Sequence, residues 1–226
     1  MWKTGRRLNA PNHGNETTDG LTGFQVEVAR LFFTLPSSAG FLLAGGAALL
    51  AQHLTARPTQ DLDFFTSQGL GNVTTATEGF EEATAQRGWT VTRIRESETF
   101  VRLVINSPEH LLVDIALDSP PDRPPTASLV GPTFAPEELA GRKVIALFDR
   151  AAARDFADVY TLAARFGKPL LLTRAAEIDP GFDPHIFADM LRTLDRYKDS
   201  DIPVSTADTA TIRTFFRNWV AELANK

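Results

Sequence analysis

The segment Asp61-Leu62-Asp63-Phe64-Phe65 restricts the fold of this chain more than any other. Acids alternating with large apolar side chains predict a strand, and strand residues two apart point to one face. Asp61 and Asp63 therefore project together while Leu62 and Phe64 enter a core. Two carboxylates side by side repel. Burying such a pair raises the proton affinity of at least one of them unless a cation lies between. A divalent ion resolves the conflict, and oxygen-only ligands select Mg²⁺ or Mn²⁺ over zinc. The plainer alternative is an exposed strand face carrying two solvated acids.

Three further features weigh against that alternative. Gly45-Gly46 forms a sharp turn between a short apolar strand, Phe41 to Ala44, and a helix, Ala47 to Leu54. Paired glycines let backbone approach a ligand closely, and the following helix N-terminus offers N–H groups to a phosphate. The pair matches neither a Walker loop nor a dinucleotide fingerprint. Asp114 lies in the apolar strand Leu112-Val113-Asp114-Ile115-Ala116. A lone carboxylate there is costly unless it is paired or metal-bound; a strand-end Asp bonded to a nearby loop is the other option. Arg57 and Thr59 stand just ahead of the Asp pair. A guanidinium fork suits a phosphate oxygen, or equally a structural pair with Asp61 or Asp63. Thr59 also suits a bond to local backbone at the start of the strand.

Along the chain, residues 1–20 read as loosely ordered and Leu21 to Leu35 as an amphipathic helix. Residues 73–87 suggest a helix stopped by Gly88, followed by strands at Trp89 to Ile94, Phe100 to Ile105 and His110 to Leu117. Pro120, Pro121, Pro124 and Pro125 then mark a stiff linker. Glu137 to Phe166 has helical pattern, in one piece or broken at Ala151-Ala152-Ala153, and helices follow near 183–197 and 208–223. The expectation is an α/β first half, 21–119, joined by a linker, 120–135, to a helical second half, 136–226. His53 and Arg57, four apart, are expected at a shared helix end, with His53 structural.

The 226 residues include no cysteine, which excludes disulfides and thiolate zinc sites and fits a reducing cytoplasm. Met1 to Thr18 is polar with Lys3, Arg6 and Arg7, and no apolar stretch of a signal peptide follows. The longest apolar run, Phe41 to Ala51, is too short to span a bilayer, so a soluble chain without a membrane partner is expected. A formal net charge of −5 gives no global footprint for nucleic acid. Residues 142–174 nevertheless carry seven bases against three acids. A local basic surface of that kind would hold a phosphate chain.

The order strand–GG–helix, strand with DxD, later strand with a third Asp resembles the nucleotidyltransferase superfamily. More closely, Leu43-Ala44-Gly45-Gly46-Ala47-Ala48-Leu49, His53 and Arg57-x-Thr59-x-Asp61-Leu62-Asp63-Phe64-Phe65 resemble the AbiEii/AbiGii toxin family. The distal part of the pattern falls on Lys143, Arg150, Arg154-Asp155 and Asp158. The likeness covers roughly 39–165. It departs at Ala47, where the family usually has a hydroxyl, so one side-chain donor is missing from the presumed phosphate turn.

The resemblance implies a nucleotidyltransferase-fold mixed sheet with flanking helices and a metal set of Asp61, Asp63 and Asp114. It implies an NTP held by Gly45, Gly46, Arg57, Lys143 and Arg150, with Lys143 on the phosphates and Asp158 supporting the site. Asp155 is either part of that support, a structural partner of Arg154, or a cap. On one continuous helix Lys143, Arg150 and Arg154 share a narrow stripe, equally readable as a solvated edge; a break at Ala151–Ala153 ends that phase at Arg150. The resemblance further implies the toxin of a toxin–antitoxin pair acting on RNA such as the tRNA 3′ end. Its restraint would come from an antitoxin, either a neighbouring protein or a kinase. Two other readings stay open: an antibiotic nucleotidyltransferase, favoured by a deep acidic pocket, and a non-catalytic nucleotide-binding module, favoured by Ala47.

Overall fold

The computed structural model describes residues 20–106 and 109–224, so the expectation for 1–20 lies outside it but for Gly20. The first helix, α1 (Gly23–Thr34), opens on a capping box: Gln25 N–H donates to Thr22 Oγ1 at 3.1 Å, and Thr22 N–H to Gln25 Oε1 at 2.9 Å. Its buried stripe carries Phe24, Val28, Leu31 and Phe32. After β1 (Leu42–Ala44) comes α2 (Gly45–Ala51), which begins at the first glycine and not after the pair. The helix stops before His53, which has φ +54°, so His53 and Arg57 do not share a helix end.

The strand β2 (Asp61–Thr66) is followed by α3 (Val73–Gln86), β3 (Val91–Glu96), β4 (Phe100–Ile105) and β5 (Leu111–Leu117). The burial of β2 alternates as its sequence does, with Leu62 and Phe64 wholly buried. Residues 120–135 are more than a linker: they supply β6 (Thr126–Ala127) and β7 (Pro132–Thr133). The chain there can join a ladder because Pro132 takes the first strand position, where proline is tolerated. The mixed sheet of seven strands runs β3-β4-β5-β2-β1-β7-β6. Strands β2 and β5, and β1 and β7, pair parallel; β1–β2 and β4–β5 pair antiparallel.

The second half is helical: α4 (Pro136–Arg150), α5 (Ala153–Phe166), α6 (Lys168–Ile178), α7 (Pro184–Arg192) and α8 (Thr206–Ala224). The break between α4 and α5 falls at Ala151, held left-handed at φ +45°. The sequence pattern gives no helix where α6 lies; Gly167 precedes it and Pro169 sits in its first turn, where a missing N–H costs nothing. The buried apolar cluster continues through both halves, from Phe32 stacked on Phe64 at 3.9 Å to Phe156, Phe187 and Trp219. Among the described residues no helix is long and apolar enough to cross a membrane.

Candidate active site

Sheet register brings the acids together. Parallel pairing sets Asp63 on β2 opposite Asp114 on β5, and antiparallel pairing sets Asp114 opposite Arg102 on β4 and Asp63 opposite Ala44 on β1. Paired residues on strands roughly 4.8 Å apart face the same way. Ala44, Asp63, Asp114 and Arg102 therefore form a row across the sheet, with Asp61 two residues further along the same face.

Arg102 forks Asp114, with Nε 2.7 Å from Oδ1 and Nη2 2.6 Å from Oδ2. Thr59 Oγ1 donates to Asp61 Oδ1 at 2.5 Å, and Arg154 Nη1 lies 3.4 Å from Asp61 Oδ2. The Asp63 backbone is paired on both sides in the sheet, but its carboxylate, between two acidic neighbours, has no hydrogen bond or ion pair among the described residues. Burial, then repulsion from Asp61 and Asp114, pushes its carboxyl up to about 7, against the pull of Lys143 and Arg154.

Gly45 is dictated by Asp63. Its φ is +62°, and a Cβ there would stand 1.8 Å from Asp63 Oδ2. At Gly46 a Cβ would meet Thr59 Oγ1 at 2.7 Å. The glycines thus let acidic and hydroxyl side chains close onto the turn, a packing reason for Gly-Gly beside the close approach of a ligand. Ala47 is wholly buried, and the cleft wall at this turn is made by Ala44, Gly45 and Gly46. Gly45→Ala is expected to displace Asp63 and cost roughly 1–3 kcal/mol of stability, through backbone strain and the clash. Denaturant titration checks this; a change under about 0.5 kcal/mol would contradict the packing described.

Facing the acids, α4 and α5 carry a buried network of charge. Asp155 and Asp158 are wholly buried. Asp158 accepts from Arg57 Nε and Nη2, both at 2.8 Å, and lies 3.1 Å from Lys143 Nζ. Asp155 accepts from Arg150 Nε at 2.8 Å and Nη2 at 3.0 Å, with Lys143 Nζ at 3.6 Å. Burial alone would push the Asp155 carboxyl up, but the Arg150 hydrogen bond and the charges of Lys143, Arg150 and Arg154 hold it below the ordinary carboxylate range. Arg57 therefore pairs with Asp158 and not with Asp61 or Asp63. Because α4 ends at Arg150, Lys143 and Arg150 share one helix and Arg154 belongs to the next, so no continuous stripe runs through all three. Lys143 is buried, not at a solvated edge.

Between the acidic sheet face and this wall lies a cleft of about 480 Å³. Of the sequence-singled residues, Gly45, Gly46, Arg57, Thr59, Asp61, Asp63, Asp114, Lys143, Arg150 and Arg154 line it; Asp155 and Asp158 stand behind the basic side chains. Arg102, Asp118 and Arg142 also line the cleft and were missed. Arg142 donates to Asp118 and Glu138 and covers the Phe134 ring at 3.8 Å, tying the proline segment to α4. Alternation in Val101-Arg102-Leu103 put Arg102 on a polar face, but only register aims it at Asp114.

The basic segment 142–174 does not form the open basic surface expected of it. Arg142 is matched by Asp118 and Glu138, Lys168 by Glu222, and Arg174 by Glu137 and Glu177, acids outside the counted window.

A mixed sheet with the acids on adjacent parallel strands, a Gly-Gly turn closed on them and a basic helical wall is the arrangement of a nucleotidyltransferase. The family described as nucleotidyl transferase AbiEii toxin, type IV toxin–antitoxin system, matches residues 29–201, and the chain belongs to it. A crystal structure of JHP933 from Helicobacter pylori has a similar fold at 16% identity, covering 89% of this chain and 92% of that one with a TM-score of 0.56. So does MenT4, the nucleotidyltransferase toxin Rv2826c from Mycobacterium tuberculosis H37Rv, at 16% identity, 89% of each chain and a TM-score of 0.57. A comparison with curated proteins finds no match.

Proposed function

We propose that this nucleotidyltransferase moves a nucleoside monophosphate from an NTP to an RNA acceptor, the tRNA 3′ end being the leading choice, as the toxin of a toxin–antitoxin pair. The observation that carries the chemistry is Asp63, an acid without a partner wedged between Asp61 and Asp114. Such a group calls for a cation. Asp61 and Asp63 fit a divalent ion, Mg²⁺ or Mn²⁺, by their oxygen-only donors. Asp114 fits as a third ligand while Arg102 holds it, since each of its oxygens keeps a lone pair. No group of three acidic or histidine side chains among the described residues stands close enough to hold an ion by itself; Asp61 and Asp63 are assigned as its side-chain pair, with Asp114 joining as phosphate oxygens and water complete the shell. When bound, such an ion neutralises phosphate charge and lowers the proton affinity of an attacking hydroxyl.

The chain's own groups do the rest. Gly45 and Gly46 give the phosphates close access to backbone. Lys143, Arg150 and Arg154 stand across the cleft from the acids, placed to stabilise charge growing on the leaving pyrophosphate. Asp155 and Asp158 fix Lys143 and Arg150 in position, and Arg57 with them, while Arg154 reaches Asp61. The acceptor hydroxyl passes its proton to Asp114, its oxygen bonds to the α-phosphorus, the bond from that phosphorus to the α–β bridging oxygen breaks, and pyrophosphate leaves. A second hollow of about 750 Å³ adjoins the cleft across Arg57, Thr59 and Arg154, with Tyr160 in its wall. Arg154, half exposed, and the Tyr160 ring suit the end of a nucleic acid strand, while the Arg57 fork is held by Asp158. That hollow supports RNA as the acceptor; the neutralised 142–174 segment no longer does.

One observation favours a small cationic acceptor instead: Asp118, Asp149 and Asp179 line the same cleft. Burial, then the charge of Asp179, pushes the Asp149 carboxyl up. The test supplies Mg²⁺ and each α-³²P-labelled NTP with either total tRNA or an aminoglycoside. Label on tRNA alone is the expected result. Label on the aminoglycoside alone would transfer the reading to the antibiotic-modifying class. Tight Mg²⁺-dependent NTP binding without transfer to any acceptor would leave the non-catalytic module.

A further inference from the structure

A third cavity carries an inference that rests on, and extends, the nucleotide reading of the cleft. It has a volume of about 270 Å³ and opens beside the acidic site, sharing Phe65 and Ser119 with it. Phe65 follows Asp63 by two on the same face of β2, roughly 7 Å along the strand. That is about the reach from an α-phosphate across a ribose to its base. The lining is largely apolar, with Phe41, Phe65 and Phe134 beside Pro121, Pro125 and Pro132. Leu70, 57% exposed, is an apolar residue left at the surface of this cavity.

One polar group in the wall is unexplained. Ser67 is buried, and its Oγ has no hydrogen-bond partner. A buried hydroxyl without a partner is unfavourable, and native proteins rarely leave one. By contrast the neighbouring Thr66 hydroxyl donates to Gly40 O at 2.8 Å. Ser67 lines the cavity, and its hydroxyl can both donate and accept. Rings stacked between aromatic and proline faces, with one hydrogen bond at the edge, are how a planar heterocycle is bound and identified.

We propose that this cavity holds the nucleobase of the substrate NTP, and that Ser67 hydrogen-bonds its edge and so sets which NTP is used. The base then lies toward Phe65 at one end of β2, and the acceptor hollow lies at the other end, beyond Thr59. The transferred phosphorus sits between them, over Asp61 and Asp63.

The test measures binding, by titration calorimetry with Mg²⁺, of ATP, GTP, CTP, UTP and ribose 5′-triphosphate, which lacks a base. The expected result is that one NTP binds at least about 10-fold tighter than ribose 5′-triphosphate. Ser67→Ala removes roughly 3- to 10-fold of that preference, while Ser67→Thr, which keeps the hydroxyl, retains it. Leu70→Ser, at an exposed position where folding is not at stake, weakens NTPs several-fold and leaves ribose 5′-triphosphate unchanged. Equal binding of all five ligands to wild type would overturn the proposal, as would unchanged preference in Ser67→Ala and Leu70→Ser. If those variants altered only the labelling of RNA, the base in the cavity would belong to the acceptor, and the proposal would again fail. If none of the five bound, the nucleotide reading of the cleft would fall with it; ribose 5′-triphosphate binding alone would keep that reading and remove this one.

Discussion

Replacing Asp61 by alanine, or Asp63 by asparagine, is expected to reduce nucleotidyl transfer at least about 10³-fold while the protein stays folded. Both side chains lie on the cleft face of β2, opposite the buried Leu62 and Phe64, so neither supports the core. Asp63→Asn also has a signature in the metal-free protein that a purely catalytic role does not predict. The Asp63 carboxyl is raised to about 7 in the folded chain, above its value near 4 when unfolded. Folding therefore takes up a proton. The favourable contribution is complete below the unfolded value and is lost as pH rises through about 7. Metal-free wild type should lose stability between pH 5.5 and 8.5, and Asp63→Asn should recover roughly 1–2 kcal/mol at the upper end once screening by water in the cleft is allowed for. A divalent ion should stabilise wild type more at pH 8.5 than at 5.5, and Asp63→Asn little at either. Thermal unfolding across that range measures all of this. Metal-free stability that does not fall with pH, or an asparagine variant that tracks wild type, would remove the unpartnered acid from the account.

Asp158→Ala is the substitution expected to cost most in stability, about 3–5 kcal/mol, because it leaves charge buried without its partner. Arg57 loses both of its fork bonds and Lys143 loses its nearer carboxylate. For a chain of this size the loss corresponds to a fall in Tm of roughly 10 °C. Lys143→Met gives the contrasting result. It fills similar volume, and Asp158 keeps Arg57 while Asp155 keeps Arg150. Its stability should change by less than about 1.5 kcal/mol, while transfer falls at least about 10²-fold if Lys143 stabilises the triphosphate. Denaturant titration and transfer rate, measured on both variants, separate the two roles. A mild effect for Asp158→Ala, or wild-type transfer by Lys143→Met, would show that the network does not position the cations.

What the sequence makes legible here is local. Alternation in Asp61-Leu62-Asp63-Phe64 is a backbone property of one strand, and so are the turn at Gly45-Gly46 and the helix stop at Gly88. The break near Ala151 is legible as an option, because three alanines neither cap nor forbid a turn; only the left-handed Ala151 decides it. The site's pairings are long-range and leave no mark on nearby residues. Arg57 meets Asp158 at a sequence separation of 101, and Asp114 meets Arg102 through a register that depends on where Arg102's strand enters the sheet. The same limit explains the basic segment. Counting charge within 142–174 gives an excess, yet the acids that cancel it, such as Asp118 and Glu222, sit before and after the window. The proline-rich stretch misleads for another reason: two-residue strands are too short to carry an alternation, and a sheet edge supplies the pairing that the segment's own sequence does not announce.

The reaction itself is tested most directly by the fate of two labels. The purified chain, with Mg²⁺ and tRNA, is given the preferred NTP labelled with ³²P at either the α- or the γ-phosphate. Transfer of a nucleotidyl group centred on Asp61 and Asp63 predicts α-label on the acceptor and γ-label released as pyrophosphate, with neither in Asp61→Ala. Label from the γ-position on the acceptor would instead mark a phosphotransferase, and α-label transfer surviving in Asp61→Ala would place the chemistry elsewhere; either result would contradict the site described.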